Sequence, residues 1–373
     1  MGKRTEFLYL SEPDTIAAGV LDAARSVDVL EEVFKLVSQG DYLMGGANHN
    51  NHGMTIIFPK ETPFPNMPVA GPDRRFAAMP AYLGGRFDVC GNKWYGSNAA
   101  NTEKGLPRSV LTLMLNDKDT GEPLGLLSAN LISAARTGAV PGVAARHLAK
   151  KDPEVCAVIG CGAINKACMT AIATQMKKLR KVICFDLFLN KAQEFAAWVK
   201  ETTGAETEAS DDLAGVVRAG EVISVAASRL KPLHLESSWL QKGSLLMLTG
   251  PAKGDEALWT GTKIVFDNTK LQEAYVEDAI SSGDKEGYYA GVIGGPIYSL
   301  IDQGKLPPLN QGTSIGDVIL GTKPGRQSED DRIIFVTCGM AVYDVAWGYE
   351  VLENARKKSI GQKLVLWESP EQA

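Results

Sequence analysis

VCAVIGCGAINKACMTAIA, residues 155–173, decides how this chain folds. Val155 to Ile159 is an unbroken apolar run that leads straight into Gly160-Cys161-Gly162, and an apolar helical pattern follows from Ala163. A run without polar alternation fits a strand buried on both faces, as in a parallel sheet. Gly160 permits a tight turn and Gly162 lets a ligand approach the backbone. The helix that starts there offers unpaired N–H groups and the positive end of its dipole to a pyrophosphate. Asn165 occupies the place of the third glycine in the GxGxxG pattern. It predicts either slightly wider helix packing or an amide that reaches the phosphate.

Outward from this turn the pattern repeats. KVICFD, a short strand near Thr207, EVISVAA, SLLMLTG and TKIVFD are apolar strands, with helical segments at 164–179, 191–203 and 211–219 among them. Strands of this kind alternating with helices describe a doubly wound parallel sheet. Asp186 ends the second strand, about twenty residues beyond the turn, where a carboxylate accepts from both adenosine ribose hydroxyls and repels a 2′-phosphate. The cofactor implied is NAD. NADP is the minority reading, since Lys191 is the nearest cation and Leu187, Phe188 and Leu189 supply no arginine.

Upstream the character changes. Residues 11–39 carry apolar positions at helical spacing (Val20, Leu21, Val27, Val29, Leu30, Val33, Leu36, Val37), which predicts one amphipathic helix or two, ending at Gly40. From Gly53 to Leu126, short β-like runs such as MTIIF, RRFAAMPAYLGG and SVLTLML are separated by Pro and Gly, which predicts a mostly antiparallel region. A long helix is expected over 129–151. At the other end, IIFV precedes a long helix, and nothing in the sequence suggests that this strand closes the parallel sheet. The expected organisation is therefore an α/β chain with a Rossmann doubly wound parallel sheet, residues 134–330. That sheet is inserted into a discontinuous α+β substrate and dimerisation domain, residues 1–133 and 331–373.

Bulk properties narrow the partners. The 373 residues exceed the length over which one core keeps growing, so two domains are expected. A formal charge of −5 leaves no basic surface for nucleic acid or an anionic membrane. No stretch approaches the ~18 apolar residues of a spanning helix, and the apolar run near the start breaks at Ser11 and Glu12, too early for a signal peptide. Cys90, Cys156, Cys161, Cys168, Cys184 and Cys338 lack CxxC spacing and fit reduced residues of a cytoplasmic protein. His49 and His52 lie in the polar run GGANHNNHG, which fits a loop, and no metal is expected.

Several segments together resemble the ornithine cyclodeaminase/mu-crystallin family. They are Met79-Pro80-Ala81-Tyr82, GNKWYGSN (91–98), ISAARTGAVPGVAARHLA (132–149), the GCGAIN turn, GSLLMLTG (243–250), SIGDVILGTKPGR (314–326) and IIFVTCGMAVYDVAWGYEVLENA (333–355). The resemblance implies an NAD(P)-dependent oxidoreductase acting on the C–N bond of a small amino or imino acid, and a homodimer. Alternatives within the resemblance are a cyclodeaminase-like lyase using NAD transiently, an opine-type condensing dehydrogenase, and a non-catalytic NAD-binding protein.

Residue by residue, the resemblance places the substrate carboxylate on Arg136, with Lys93 beside it and the reacting centre. These two are the expected catalytic residues. Other substrate contacts are expected at Met79 and at Arg74 and Arg75, which stand in for a family arginine missing near Met54. Cofactor contacts are expected at Gly160, Gly162, Ala163, Ile164, Asn165, Asp186, Ala227, Thr249 and Gly250. Where the cyclodeaminase carries an aspartate after SLLMLTG, this chain has Pro251, which disfavours cyclisation. The segment Lys60–Arg75 is longer than in typical members and is expected to reshape the pocket.

Overall fold

In the computed structural model, residues 3–227 and 232–372 are described. The chain divides into two compact units, one of residues 1–22, 40–133 and 340–373, the other of residues 23–39 and 134–339.

The first unit is built on an eight-stranded sheet. Its order is Gln362–Trp367, Thr5–Leu10, Pro123–Ser128, Ser109–Asp117, Val89–Ser97, Arg75–Leu83, Tyr42–Met44, with Met54–Ile57 also paired to Arg75–Leu83. Neighbours are antiparallel except Thr5–Leu10 beside Pro123–Ser128. The strands alternate: Ala77, Met79, Ala81 and Leu83 point into the core, while Phe76 and Pro80 face outward. Register sets Lys93 opposite Met79 on one side and Leu113 on the other. The helix Ala341–Lys358 covers the inner face. A Cβ on Gly91 would stand 2.8 Å from Val345 Cγ2, and one on Gly348 would stand 2.1 Å from Leu113 Cδ2. Helix and sheet therefore meet at glycine on both sides.

The second unit carries a parallel sheet in the order Glu206–Ser210, Lys181–Phe185, Val155–Ile159, Val222–Val225, Leu245–Leu248, Ile333–Val336, Lys263–Phe266, Thr313–Ser314. Val222–Val225, Leu245–Leu248 and Ile333–Val336 are buried throughout, and burying each large apolar side chain contributes about 1.5–3 kcal/mol. The fold is the doubly wound α/β architecture expected from the sequence.

Two placements differ from the sequence expectation. Ile333–Val336 does not return to the first unit: it lies between Leu245–Leu248 and Lys263–Phe266. Four consecutive apolar residues need cover on both faces, and a central position in a parallel sheet supplies it. The helix Ala23–Gln39, expected within the 1–133 domain, belongs to the second unit. Its stripe of Val27, Leu30, Val33, Phe34 and Val37 is buried, and it fits where glycine replaces a side chain. A Cβ on Gly142 would meet Val27 Cγ2 at 2.6 Å, and one on Gly316 would meet the Phe34 carbonyl oxygen at 2.2 Å. Glu31 adds an ionic tie, accepting from Arg146 at 2.7 Å and His147 at 3.0 Å. Burial raises its pKa, but the bonds from His147, Arg146 and Lys35 prevail and hold it at about 2.

Candidate active site

The turn after Val155–Ile159 has the conformation its glycines allow. Gly160 lies at φ +89, in the left-handed region, and a Cβ there would stand 2.8 Å from the Ala226 carbonyl oxygen and 2.9 Å from Ala227 Cα. Only glycine fits both demands. Gly162 caps the helix Ala163–Gln175 without a side-chain hydrogen bond, and nothing lies within 4 Å of where its Cβ would be. Gly162, Ala163 and Ile164 are exposed. The first N–H groups of that helix thus open onto space at the positive end of the dipole.

Asp186 meets this turn. Its Oδ2 accepts from the Cys161 N–H at 2.8 Å and its Oδ1 from the Phe188 N–H at 3.1 Å. Leu187, Phe188 and Leu189 beyond it are exposed, and Lys191 Nζ lies 5.0 Å from the Phe188 ring centroid. Gly250 approaches the same dipeptide as Gly160: a Cβ on Gly250 would stand 3.0 Å from the Ala227 carbonyl oxygen. The Thr249 and Gly250 N–H groups both donate to the Val225 carbonyl, at 2.9 and 3.0 Å. Gly160, Ala227 and Gly250 are therefore brought together at the carboxyl ends of adjacent parallel strands, where open α/β sheets bind ligands.

Asn165 does something else. It is fully buried, its Nδ2 donates to the carbonyls of Ile159 at 2.9 Å and Gly160 at 2.7 Å, and its Oδ1 accepts from Ser224 Oγ at 2.7 Å. The amide is spent inside the protein rather than reaching out to a phosphate. It ties the end of the Val155–Ile159 strand to the Val222–Val225 strand. Asn165→Ala strands buried acceptors and the Ser224 hydroxyl, so a stability loss of about 2–4 kcal/mol is expected, read by denaturant unfolding, with weakened NADH binding in titrations of the folded protein. Unchanged stability would assign the side chain no such role.

Arg136 lies in the helix Asn130–Leu148 and is 7% exposed. Two residues on, Gly138 backs onto the next helix, where its Cβ would stand 2.2 Å from the Ala167 carbonyl oxygen. This close approach sets Arg136 alongside the helix that begins at the dinucleotide turn. Gly339, at φ +77, lies against the guanidinium, for a Cβ there would be 2.8 Å from Arg136 Nη1. Residues 337–339 are held in turn by Asp267. Its Oδ2 accepts from Thr337 Oγ1 at 3.1 Å, the Cys338 N–H at 2.8 Å and the Gly339 N–H at 3.1 Å, and its Oδ1 from Asn268 N–H and Gln272 Nε2, both at 2.9 Å. Burial pushes this carboxyl above its ordinary range despite those donors. Asp267 escaped the sequence reading, although an acid ending the apolar strand TKIVFD was a usable signal.

In the first unit Lys93 is 3% exposed, and its Nζ lies 2.8 Å from Oδ2 of Asp344, which is 0% exposed. Its Nζ also stands 5.8 Å from the Tyr95 ring centroid. Met79, its cross-strand neighbour, is buried beside it. Arg74 and Arg75 are engaged elsewhere. Arg75 Nη1 pairs with Asp73 at 2.7 Å, and Arg108 joins the same carboxylate at 2.6 Å. Arg74 Nη1 donates to the Val69 carbonyl at 3.2 Å and stacks 5.7 Å from the Phe58 ring. Register puts Arg75 opposite Ser97, four residues from Lys93 along the strand, or roughly 13 Å. Neither arginine is gathered with Lys93. Met54 is 80% exposed on its short strand. Among the described residues, no three His, Cys, Asp or Glu side chains gather to hold a metal ion. No helix there is long and apolar enough to cross a membrane.

A sequence model of the ornithine cyclodeaminase/mu-crystallin family matches residues 20–359. The chain belongs to this family. Relatives within reach include N-((2S)-2-amino-2-carboxyethyl)-L-glutamate dehydrogenase of Staphylococcus aureus, 27% identical over 97% of this chain and 99% of that one. Alanine dehydrogenase of Archaeoglobus fulgidus is 30% identical over 77% of this chain and 82% of its own length. Among solved structures, an archaeal alanine dehydrogenase dimer with bound NAD superposes with a TM-score of 0.75. It is 26% identical and covers 97% of this chain and 100% of that one.

Pro251 is buried and has no side-chain acceptor for a distal amine. The cysteines offer no reactive thiolate near the turn. The hydrogen bond with the Cys184 thiol, and burial, push Cys161 upward, and burial pushes Cys156 and Cys168 up to about 12.

Proposed function

We propose that the chain is an NAD-dependent oxidoreductase acting at the carbon that bears nitrogen in a small amino or imino acid. The observation that carries the reading is the seat formed by Gly160, Ala227 and Gly250 beside the uncapped helix start, with the Asp186 carboxylate at its edge. A side chain at Gly160 would collide with the backbone, and a ligand at Gly162 finds open space, so the residues fit a dinucleotide. Asp186 then accepts from the ribose hydroxyls and disfavours a 2′-phosphate, which selects NAD over NADP. Bound NAD(H) supplies or accepts the hydride. Arg136 offers a planar fork that matches a carboxylate with two short charge-assisted bonds. Lys93 adds an ammonium that steadies the substrate carboxylate and the charge that changes at nitrogen. Fixing the reacting carbon in place lowers the entropic barrier. The second unit, in this reading, serves the cofactor and supplies Arg136, and the first supplies Lys93 and the assembly surface.

The test is to follow NADH absorbance with a panel of 2-oxo acids plus ammonia or amines, and with amino acids in reverse. Turnover coupled to NADH consumption or formation is expected. Product without net change in added cofactor supports a lyase instead, and tight NADH binding without turnover on any panel member supports a non-catalytic role. One observation favours a second form of the same chemistry. The full-length match to the Staphylococcus aureus enzyme, whose substrate joins two amino-acid skeletons through one nitrogen, puts such secondary amines on the panel. A requirement for two organic substrates would mark this opine-type reaction.

A homodimer also follows from this reading. The outer face of the first sheet exposes Phe76, Trp94 and Val110, with Met54, Ile56 and Ile57 on the neighbouring edge strand. Phe76 stacks on Trp94 at 5.7 Å between centroids. Contiguous exposed apolar surface of this kind marks an association site, and an archaeal relative is a dimer. Ile56→Asp/Trp94→Asp is expected to run as a monomer in sedimentation velocity, whereas the wild type sediments as a dimer. A monomeric wild type at micromolar concentration would remove the proposal. Six free cysteines fit a reducing, cytoplasmic setting.

A further inference from the structure

We propose that Asp344 is the positioning residue for Lys93, fixing the direction of its ammonium and keeping it charged for a substrate carboxylate. This rests on the oxidoreductase reading and concerns how the lysine of that reading is held.

The helix Ala341–Lys358 begins with an almost wholly apolar turn, Ala341-Val342-Tyr343, and then places Asp344, 0% exposed, in the core. An acid at such a position is costly to desolvate, and so is the lysine it meets. A buried ion pair of this kind is often no more stabilising than two apolar residues of the same volume. Stability therefore gives little reason for it, and its geometry gives a better one.

The pair is pinned on both sides by contacts that leave the helix no slack. Two residues before Lys93, Gly91 admits Val345, the neighbour of Asp344. One helical turn after Asp344, Gly348 admits Leu113, the cross-strand partner of Lys93. A methyl group at either glycine would stand 2.8 Å or less from a side-chain carbon of the facing element. Helix and sheet thus lie close at this level, with Asp344 Oδ2 2.8 Å from Lys93 Nζ. A lysine side chain is flexible, and on its own it would point its charge loosely. A fixed carboxylate at hydrogen-bond distance selects one orientation of the chain and favours its protonated form in a buried setting.

The test is a double-mutant cycle on kcat/KM for the organic substrate, with NADH affinity measured in parallel as a gauge of the second unit. Asp344→Asn is expected to lower kcat/KM about 100-fold, mainly through KM, as a displacement of about 1 Å at a reacting group can do. NADH affinity is expected to stay within about twofold. In a Lys93→Met background the same Asp344→Asn change is expected to cost less than about threefold, because a residue that acts only through another has nothing left to position. An equal cost in both backgrounds, or an Asp344→Asn enzyme within about threefold of wild type, would overturn the proposal. If Asp344→Asn does not accumulate as folded protein, Asp344→Glu keeps the charge and shifts the carboxylate by one methylene. A raised KM at unchanged NADH affinity then supports the proposal, and an unchanged KM overturns it. Wild-type protein that turns over no panel member would instead defeat the oxidoreductase reading, so the two failures are distinct.

Discussion

Arg136→Ala is expected to lower kcat/KM for the amino or imino acid about 1,000-fold while NADH affinity holds. Two charge-assisted hydrogen bonds to a carboxylate in a largely buried setting contribute about 1.5–3 kcal/mol each, which covers that factor. The side chain is 7% exposed, so water cannot fully take its place. Arg136→Lys should fall between, because it restores the charge without the fork. The split between kcat and KM carries the mechanism. A rise in KM alone means Arg136 binds ground and transition states equally, and a fall in kcat as well means it orients the reacting carbon. An alanine variant within threefold of wild type would take the carboxylate away from this residue.

Gly160→Ala and Gly162→Ala are expected to separate the fold's needs from the ligand's. At Gly160 the left-handed φ of +89 costs a non-glycine residue about 1–2 kcal/mol. The new methyl would also press on Ala226 and Ala227, the dipeptide that Gly250 approaches from its other side. Its expected signature is a lower melting temperature together with NADH affinity weakened about 100-fold or more, since backbone groups of the seat must shift. Gly162 has ordinary extended geometry and open space around it, so alanine there should leave melting unchanged. NADH affinity should still fall, because the methyl occupies room the pyrophosphate needs. Equal NADH affinity in both variants and wild type, by calorimetry, would show that the dinucleotide binds elsewhere.

Much of the architecture could be read from the sequence because burial on one face, two faces or a stripe leaves a period in the chain. The parallel strands, the antiparallel run from Met54 and the Gly160 turn with Asp186 all carry such marks. What the period does not contain is the identity of the partner. The stripe on Ala23–Gln39 predicted a helix but not that Gly142 and Gly316 receive it. Ile333–Val336 read as a buried strand, yet its paired neighbours in the sheet, Leu245–Leu248 and Lys263–Phe266, lie 88 and 70 positions before it, and strand order cannot be counted along a chain.

Polar residues in the core were harder still. Asn165 and Asp267 work by satisfying backbone groups that only the folded turn creates, and Asp344 shows its purpose only when a strand 251 positions away is laid beneath it. Arg74 and Arg75 show the reverse: the family resemblance offered them in place of a missing cation, and in the fold Asp73 and the Val69 carbonyl, a few residues upstream, engage them.

The place of Ile333–Val336 has a bearing on how the protein comes into being. As the chain leaves the ribosome, Leu245–Leu248 and Lys263–Phe266 emerge before the strand that joins them, Ile333–Val336. Until then each carries an open apolar edge of the sort that invites pairing with other chains. The nucleotide-type sheet is thus closed only once Ile333–Val336 has been made. A nascent chain halted shortly before that point carries every glycine of the cofactor turn but not the strand that holds its sheet together.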